Sequence, residues 1–356
     1  MTAQDSGKTT EMPASDAAPD ATDTPVVAGR LPVYDPVGVV AIGRNEGERL
    51  QRCLESVIDL VSEVVYVDSG SSDASVQRAH HLGADVVCLD MNRPFTAARA
   101  RNEGFRRLTA IDPKLRYVQF VDGDCEVDAG WLPSAMAFLE ANPGVAAVCG
   151  WRRERFPERS VYNLLCDLEW NTPVGETNVF GGDVLIRVDA FRQVGGFRGE
   201  LIAGEEPELC VRLRARGWRI WRLEHEMTRH DAAMTRFSQW WRRMLRGGYA
   251  YAEGAHLHGH GPARHWLRES RRALFWGGLY PLAALLLAFL KPAALCLLLV
   301  YPLQVLRLAA RGGWTRRESW WRAVFLVVAK FPECLGGLKF LAHQLAGRPA
   351  TLVEYK

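Results

Sequence analysis

Short apolar runs alternate with amphipathic stretches from residue 37 to about residue 148. Residues 37–42, 64–67, 85–89 and 117–121 read as strands, because each is short and rich in β-branched or aromatic residues. Between them, 46–60, 73–82 and 97–108 read as helices. In the first of these, Leu50, Cys53, Leu54, Val57 and Ile58 fall on one face. Alternation of this kind predicts a mostly parallel sheet covered on both faces. No strand is followed by Gly-x-Gly-x-x-Gly, and Gly38, Gly43 and Gly47 have the wrong spacing. A dinucleotide-binding dehydrogenase is therefore disfavoured.

The pattern changes after residue 272. Residues 273–306 carry one charge, Lys291, followed by Pro292. As helices, 274–290 and 293–306 would span ~26 Å and ~21 Å, against a hydrocarbon core of ~30 Å. A continuous helix through Lys291 and Pro292 is disfavoured, since Pro breaks the hydrogen-bond ladder and a mid-membrane Lys costs ~2.5–3.5 kcal/mol. A transmembrane helical hairpin turning at Lys291–Pro292 is expected instead. Arg268, Arg271 and Arg272 flank one open end, and Arg307, Arg311, Arg316 and Arg317 the other. The positive-inside rule puts both ends in the cytoplasm, at the inner membrane. A third apolar stretch, 323–341, is interrupted by Lys330, Pro332 and Glu333, and reads as an interfacial helix or a further span. Residues 236–272 are rich in Arg and Trp, which suits a membrane interface or a charged helix face.

Composition narrows the picture. A net charge of +3 over 356 residues gives no polyanion-binding signature, so no nucleic-acid partner is expected. Residues 1–30 have almost no large apolar side chains and are expected to be disordered, without the basic start and apolar core of a secretory signal. The eight cysteines contain no Cys-x-x-Cys pair, against a zinc ribbon or a disulfide framework. The expected divisions are a disordered tail at 1–32, a catalytic domain at 33–235, interfacial helices at 236–272, the hairpin at 273–306, and a basic loop with a membrane-associated helix at 307–356.

Candidate chemistry gathers at strand ends. The 117–121 strand stops at Asp122–Gly123–Asp124. Two carboxylates held that close repel unless a cation or a donor-rich ligand sits between them. Mg²⁺ typically binds one or two carboxylates together with substrate phosphates. A solvated turn is the plainer alternative. The first strand ends in Ile42–Gly43–Arg44–Asn45–Glu46, polar residues placed to line a nucleotide pocket. The second ends in Val67–Asp68–Ser69–Gly70–Ser71–Ser72–Asp73, where Asp68 can accept from a base N–H or a ribose hydroxyl and Ser72 or Asp73 can cap the next helix. Ala100–Arg101–Asn102–Glu103–Gly104 brings an arginine to the same edge.

In this order the segments resemble the inverting family 2 glycosyltransferases of GT-A fold. The resemblance runs from about residue 37 to 230. It includes Gly181–Gly182–Asp183 with Arg187, the turn Gly195–Gly196–Phe197, and Gly204–Glu205–Glu206–Pro207–Glu208. It implies an α/β GT-A domain, a UDP- or GDP-sugar donor, a Mg²⁺ or Mn²⁺ cofactor, and a lipid-linked or polysaccharide acceptor. Arg44, Glu46, Asp68, Arg101, Asp122, Gly181 and Gly182 would bind the donor, with Glu46, Asp68 and Arg101 at its base. Asp122 and Asp124 would hold the metal, with His230 as a further ligand. Glu206 stands where the family usually has an Asp as general base, with Glu205 or Glu208 as alternatives. Arg152, Arg153, Arg155 and Arg159 would meet a lipid phosphate or form a solvated loop. Gln239 and Arg242 match part of the processive Gln-x-x-Arg-Trp pattern, but Arg243 replaces its Trp. His256, His258, His260 and His265 lack an acid or Cys among them and read as interfacial loop. The competing readings are a sugar-phosphate nucleotidylyltransferase, which lacks its Gly-rich basic loop here, and a catalytically silent membrane scaffold.

Overall fold

The computed structural model describes residues 33–347, so the expected disordered tail at 1–32 lies outside the described residues. Strands β1 (Val37–Gly43), β2 (Glu63–Asp68), β3 (Asp85–Cys88) and β4 (Tyr117–Asp122) are linked through helices α1 (Glu48–Glu55), α2 (Ser75–His81) and α3 (Ala97–Ile111). Then follow β5 (Cys125–Val127), α4 (Trp131–Ala141), β6 (Val145–Glu154), α5 (Val161–Trp170), β7 (Gly175–Glu176), β8 (Val184–Arg187), α6 (Val188–Gln193), α7 (Glu205–Ala215) and β9 (Arg219–His230). The C-terminal third is helical: α8 (Phe237–His258), α9 (Leu267–Leu274), α10 (Tyr280–Leu290), α11 (Val300–Gly312), α12 (Arg317–Val328) and α13 (Lys330–Leu345).

The strands form one sheet in the order β3-β2-β1-β4-β8-β6-β9-β5, with β7 also paired to β9. The β3-β2-β1-β4 half is parallel, as the strand–helix alternation predicts. β8 enters antiparallel to both β4 and β6, so the complete sheet is mixed. β1 and β4 are buried along nearly their whole length, which explains their predominantly apolar runs. The one polar residue inside β4, Gln119, accepts from the indole N–H of buried Trp131 at 2.8 Å. After β1 the chain builds outward to β3, then returns to the other side of β1 as β4. That reversal is a topological switch point, where ligands bind beyond the carboxyl ends of the strands.

The chain turns at Lys291–Pro292 between two apolar helices. Lys291 is extended, with φ −142° and ψ 105°, as a residue before proline prefers. Residues 267–290 and 292–312 form two helices long and apolar enough to cross a membrane, and little of either is buried. A π-turn at Phe275–Leu279 sits one turn before Pro281, whose ring cannot tolerate a normal carbonyl four residues back. The third apolar stretch becomes α12 and α13, and α13 packs on α8 backbone to backbone. A Cβ on Gly248 would lie 2.0 Å from the Glu333 carbonyl oxygen, and one on Gly336 2.0 Å from that of Leu245.

Candidate active site

A cavity of about 800 Å³ opens at the switch point and extends to α8. Three pairings build its floor. Antiparallel β4–β8 pairing, Phe120 opposite Val184, carries the Gly181–Gly182–Asp183 segment alongside Asp122. Antiparallel β5–β9 pairing sets Cys125 directly opposite His230, next to Asp124. Parallel β6–β9 pairing sets Glu154 on the other side of His230. The N-terminus of α7 supplies Glu205 and Glu206 from across the cavity.

Asp122 is clamped by two arginines. Arg101 donates to one carboxylate oxygen at 2.7 Å and Arg152 to the other at 3.0 Å. Burial disfavours the Asp122 charge, but Arg101 and Arg152 outweigh it and hold the carboxyl well below the usual range. Asp183 completes the clamp. It accepts from the Asp122 backbone N–H at 3.0 Å and from the Thr228 hydroxyl at 2.6 Å. A Cβ at Gly182 would lie 2.5 Å from Asp122 Oδ2 and 2.7 Å from Arg101 Nη2, so a side chain there must displace one of them.

Asp124 faces a different partner. His230 Nε2 lies 3.3 Å from Asp124 Oδ2, and His230 Nδ1 lies 3.6 Å from Glu154 Oε2. Burial lowers the His230 pKa, with nearby Arg152 adding to the effect, so the ring is neutral at physiological pH. A neutral imidazole pointing one nitrogen at a carboxylate and the other at a buried carboxylate matches a metal ligand with its orienting partner. The donor atoms of Asp124, Cys125 and His230 lie within 4.8 Å of one another. The Asp124 oxygen and the His230 nitrogen fit a divalent cation of the Mn²⁺ or Mg²⁺ kind; burial pushes the Cys125 thiol up and keeps it a poor ligand, and both oxygens of Asp122 already serve guanidinium groups.

On the opposite wall Arg101 also meets Glu205 at 3.0 Å and Glu206 at 3.1 Å. Glu206 keeps 15% of its side chain exposed, Glu205 3% and Glu208 1%. Burial and the adjacent Glu205 carboxylate push Glu206 up to about 7, while Arg101 opposes them. Glu208 turns away from the cavity into Arg198, Arg212 and His258, whose nearest contacts to it are 2.7–2.9 Å.

The other expected site residues divide. Arg44 lies over the Phe95 ring at 4.8 Å, and Glu46 pairs with Arg49 at 2.8 Å, all four lining the cavity beyond the end of β1. Gly181 lines it too. Asp68 is buried beneath the loop that it organises. One oxygen accepts from the Gly70 and Ser71 N–H groups at 2.9 and 2.8 Å, the other from the Tyr66 hydroxyl at 3.1 Å. Of the four arginines near residue 155, Arg152 reaches the site and Arg153 pairs with Asp167. Gln239 accepts from the Thr235 and Arg236 N–H groups, capping α8. Of the four histidines, His258 joins Glu208 and faces the His265 ring edge-on at 6.3 Å, and His265 stacks on Trp266 at 4.3 Å. The far end of the cavity is walled by Glu169 and Trp170 of α5 and by Arg243, Met244 and Tyr251 of α8. Glu154 was not singled out in the sequence, Arg152 was expected at a lipid phosphate or in a solvated loop rather than on Asp122, and Asp183 was given no site role. Each reaches the site through long-range strand pairing, although Asp183 lay within the Gly-Gly segment already noted.

The model of glycosyl transferase family 2 matches residues 39–193. The chain is 28% identical over 202 residues to the pre-mycofactocin glycosyltransferase of Mycobacterium tuberculosis, covering 53% of this chain and 41% of that protein. It is 26% identical over 190 residues to the succinoglycan biosynthesis protein ExoA of Rhizobium meliloti, covering 50% of this chain and 57% of that one. The matched region thus spans well under two thirds of either relative. Among solved structures, the mannosyltransferase PcManGT from Pyrobaculum calidifontis, in complex with GDP-Man and Mn²⁺, aligns with a TM-score of 0.59 at 20% identity. That alignment covers 89% of this chain and 91% of that one, and the likeness is one of fold.

Proposed function

We propose that this chain, whose residues 39–193 match glycosyl transferase family 2, transfers a sugar from a UDP- or GDP-sugar to a hydroxyl or phosphate of a lipid-linked or polysaccharide acceptor, with inversion. The observation that carries this reading is the division of carboxylates across one cavity. Asp124, beside neutral His230, lies on the floor, and Glu206, near neutrality, lies on the opposite wall.

Each side has its own work. Asp124 and His230 would hold the divalent cation, which when bound offsets charge developing on the departing diphosphate. Glu154 orients His230 for that role. Arg152 and Arg101 hold Asp122 ionised and fixed, facing the ribose. Arg44, Glu46 and Phe95 line the nucleotide end. Glu206 takes the proton of the attacking acceptor, and a pKa near the working pH suits a general base. Attack from the side opposite the leaving group inverts the anomeric carbon. Arg101 links the two halves by touching Asp122, Glu205 and Glu206 at once.

The α9–α10 and α11 helices would seat the enzyme in the cytoplasmic membrane, with residues 33–235 as the catalytic domain in the cytoplasm and 236–272 at the interface. Membrane seating brings a lipid-borne acceptor to the α5–α8 end of the cavity. The test is a panel of nucleotide-sugars with wild type, Asp124→Ala and Glu206→Gln. One donor should be consumed by wild type with Mn²⁺ or Mg²⁺, and both variants should lose at least about a hundredfold in turnover. Transfer that survives both substitutions overturns the assignment.

A further inference from the structure

A second cavity, of about 350 Å³, lies at the foot of the second apolar helix. Arg311, Arg316 and Arg322 line it, and Leu168, Leu308 and Leu326 supply apolar wall. Glu318 is the acidic residue in the lining, and among the described residues none of these three arginines has a carboxylate within ion-pair distance. Three guanidinium groups set against leucines suit a ligand that is anionic at one end and apolar at the other.

The cavity's place in the chain narrows the ligand further. The apolar helix that begins at Pro292 ends at Gly312, itself part of the lining. On the membrane reading above, on which this inference rests, the arginines stand at headgroup depth on the cytoplasmic side. We propose that this recess binds the phosphate headgroup of an anionic membrane lipid, with Leu308 and Leu326 against the start of its acyl chain. The site is separate from the catalytic cavity but shares an element with it. On α5, Cys166, Glu169 and Trp170 line the catalytic cavity, whereas Leu168 points to the lipid recess. Residues 166, 169 and 170 share one helix face and 168 lies on the opposite one. A lipid in the recess therefore braces the wall of the proposed acceptor end.

The test uses the full chain in neutral-detergent micelles, with thermal unfolding followed as phosphatidylglycerol, phosphatidylcholine or inorganic phosphate is added. Phosphatidylglycerol should raise Tm, and the other two should not. The combined variant Arg311→Gln, Arg316→Gln, Arg322→Gln should weaken the apparent affinity for phosphatidylglycerol about a hundredfold, since each arginine near such a headgroup contributes about a fivefold effect. The combined variant Arg268→Gln, Arg271→Gln, Arg272→Gln removes the same charge elsewhere and should change it less than about threefold. Equal losses in the two variants would mean diffuse charge attraction, and an equal response to inorganic phosphate would mean a site for free anions. Either result overturns the proposal. Flotation with phosphatidylcholine vesicles reads the membrane premise separately: a chain that does not float lacks membrane seating, whatever the recess binds.

Discussion

Removing the Arg101 guanidinium perturbs both halves of the site, and the consequences differ enough to be read apart. Arg101 is 2% exposed and touches three carboxylates at 2.7, 3.0 and 3.1 Å. Arg101→Gln leaves those carboxylates without their common cation. Breaking a buried pair in this way costs ~3–5 kcal/mol, a large share of the ~5–15 kcal/mol that holds a typical domain folded. The sharper effect falls on Glu206, which titrates at about 7 with Arg101 favouring its ionised form. Loss of a neighbouring arginine raises a carboxyl by ~1–3 units. The base must be ionised to act, so the acid limb of the kcat/KM profile should move to higher pH. At pH 7 the ionised fraction drops from about one half to between about one tenth and one hundredth for a shift of one or two units, a ~5- to 50-fold loss of transfer. The assay is the pH profile of transfer, with circular dichroism and Tm as controls for folding. Activity should recover at high pH, and Arg101→Lys, which keeps the charge, should hold its limb within about one unit of wild type. An unmoved limb combined with a raised donor KM would refute this reasoning and return Arg101 to the donor's base.

Three further outcomes follow from the same contacts. Gly182→Ala should cut turnover at least about a hundredfold, because its methyl would displace Asp122 or Arg101, and substrate-independent Tm should fall by only a few degrees. Glu154→Gln should weaken Mn²⁺ binding about 10- to 100-fold, measured by calorimetry, through loss of the group that orients His230. Gly248→Leu should lower Tm more than any single substitution on the exposed α10 face, since it forces α8 off the Glu333 backbone.

The parallel half of the fold was legible because it is written in local periodicity. The runs at 37–42, 64–67 and 117–121 match β1, β2 and β4, and the break at Lys291–Pro292 is visible from composition and proline chemistry. The antiparallel half was not, because the pairing of β4 with β8 joins residues more than sixty positions apart. The clamp on Asp122 went unseen for the same reason: Arg152 and Asp183 reach it through β6 and β8. Asp68 has a loop-holding role that the sequence does not show. A lone Asp at a strand end reads as a ligand, yet its carboxylate is taken up by the Gly70 and Ser71 N–H groups that hold the loop. Among Glu205, Glu206 and Glu208, sequence offers three acids on one helical turn. Burial separates them, since Glu208 is drawn into Arg198, Arg212 and His258.

The central claim is a nucleotide-diphosphate site completed by a divalent ion at Asp124 and His230. Its most direct measurement is the thermal shift of the full chain with UDP or GDP, in the presence of Mn²⁺ and of EDTA. One nucleotide at about a hundred times its Kd should stabilise wild type by ~2.7 kcal/mol with Mn²⁺. That stabilisation should vanish in EDTA and in both Asp124→Ala and His230→Ala. An equal shift in EDTA, or an undiminished metal-dependent shift in both variants, would contradict the account.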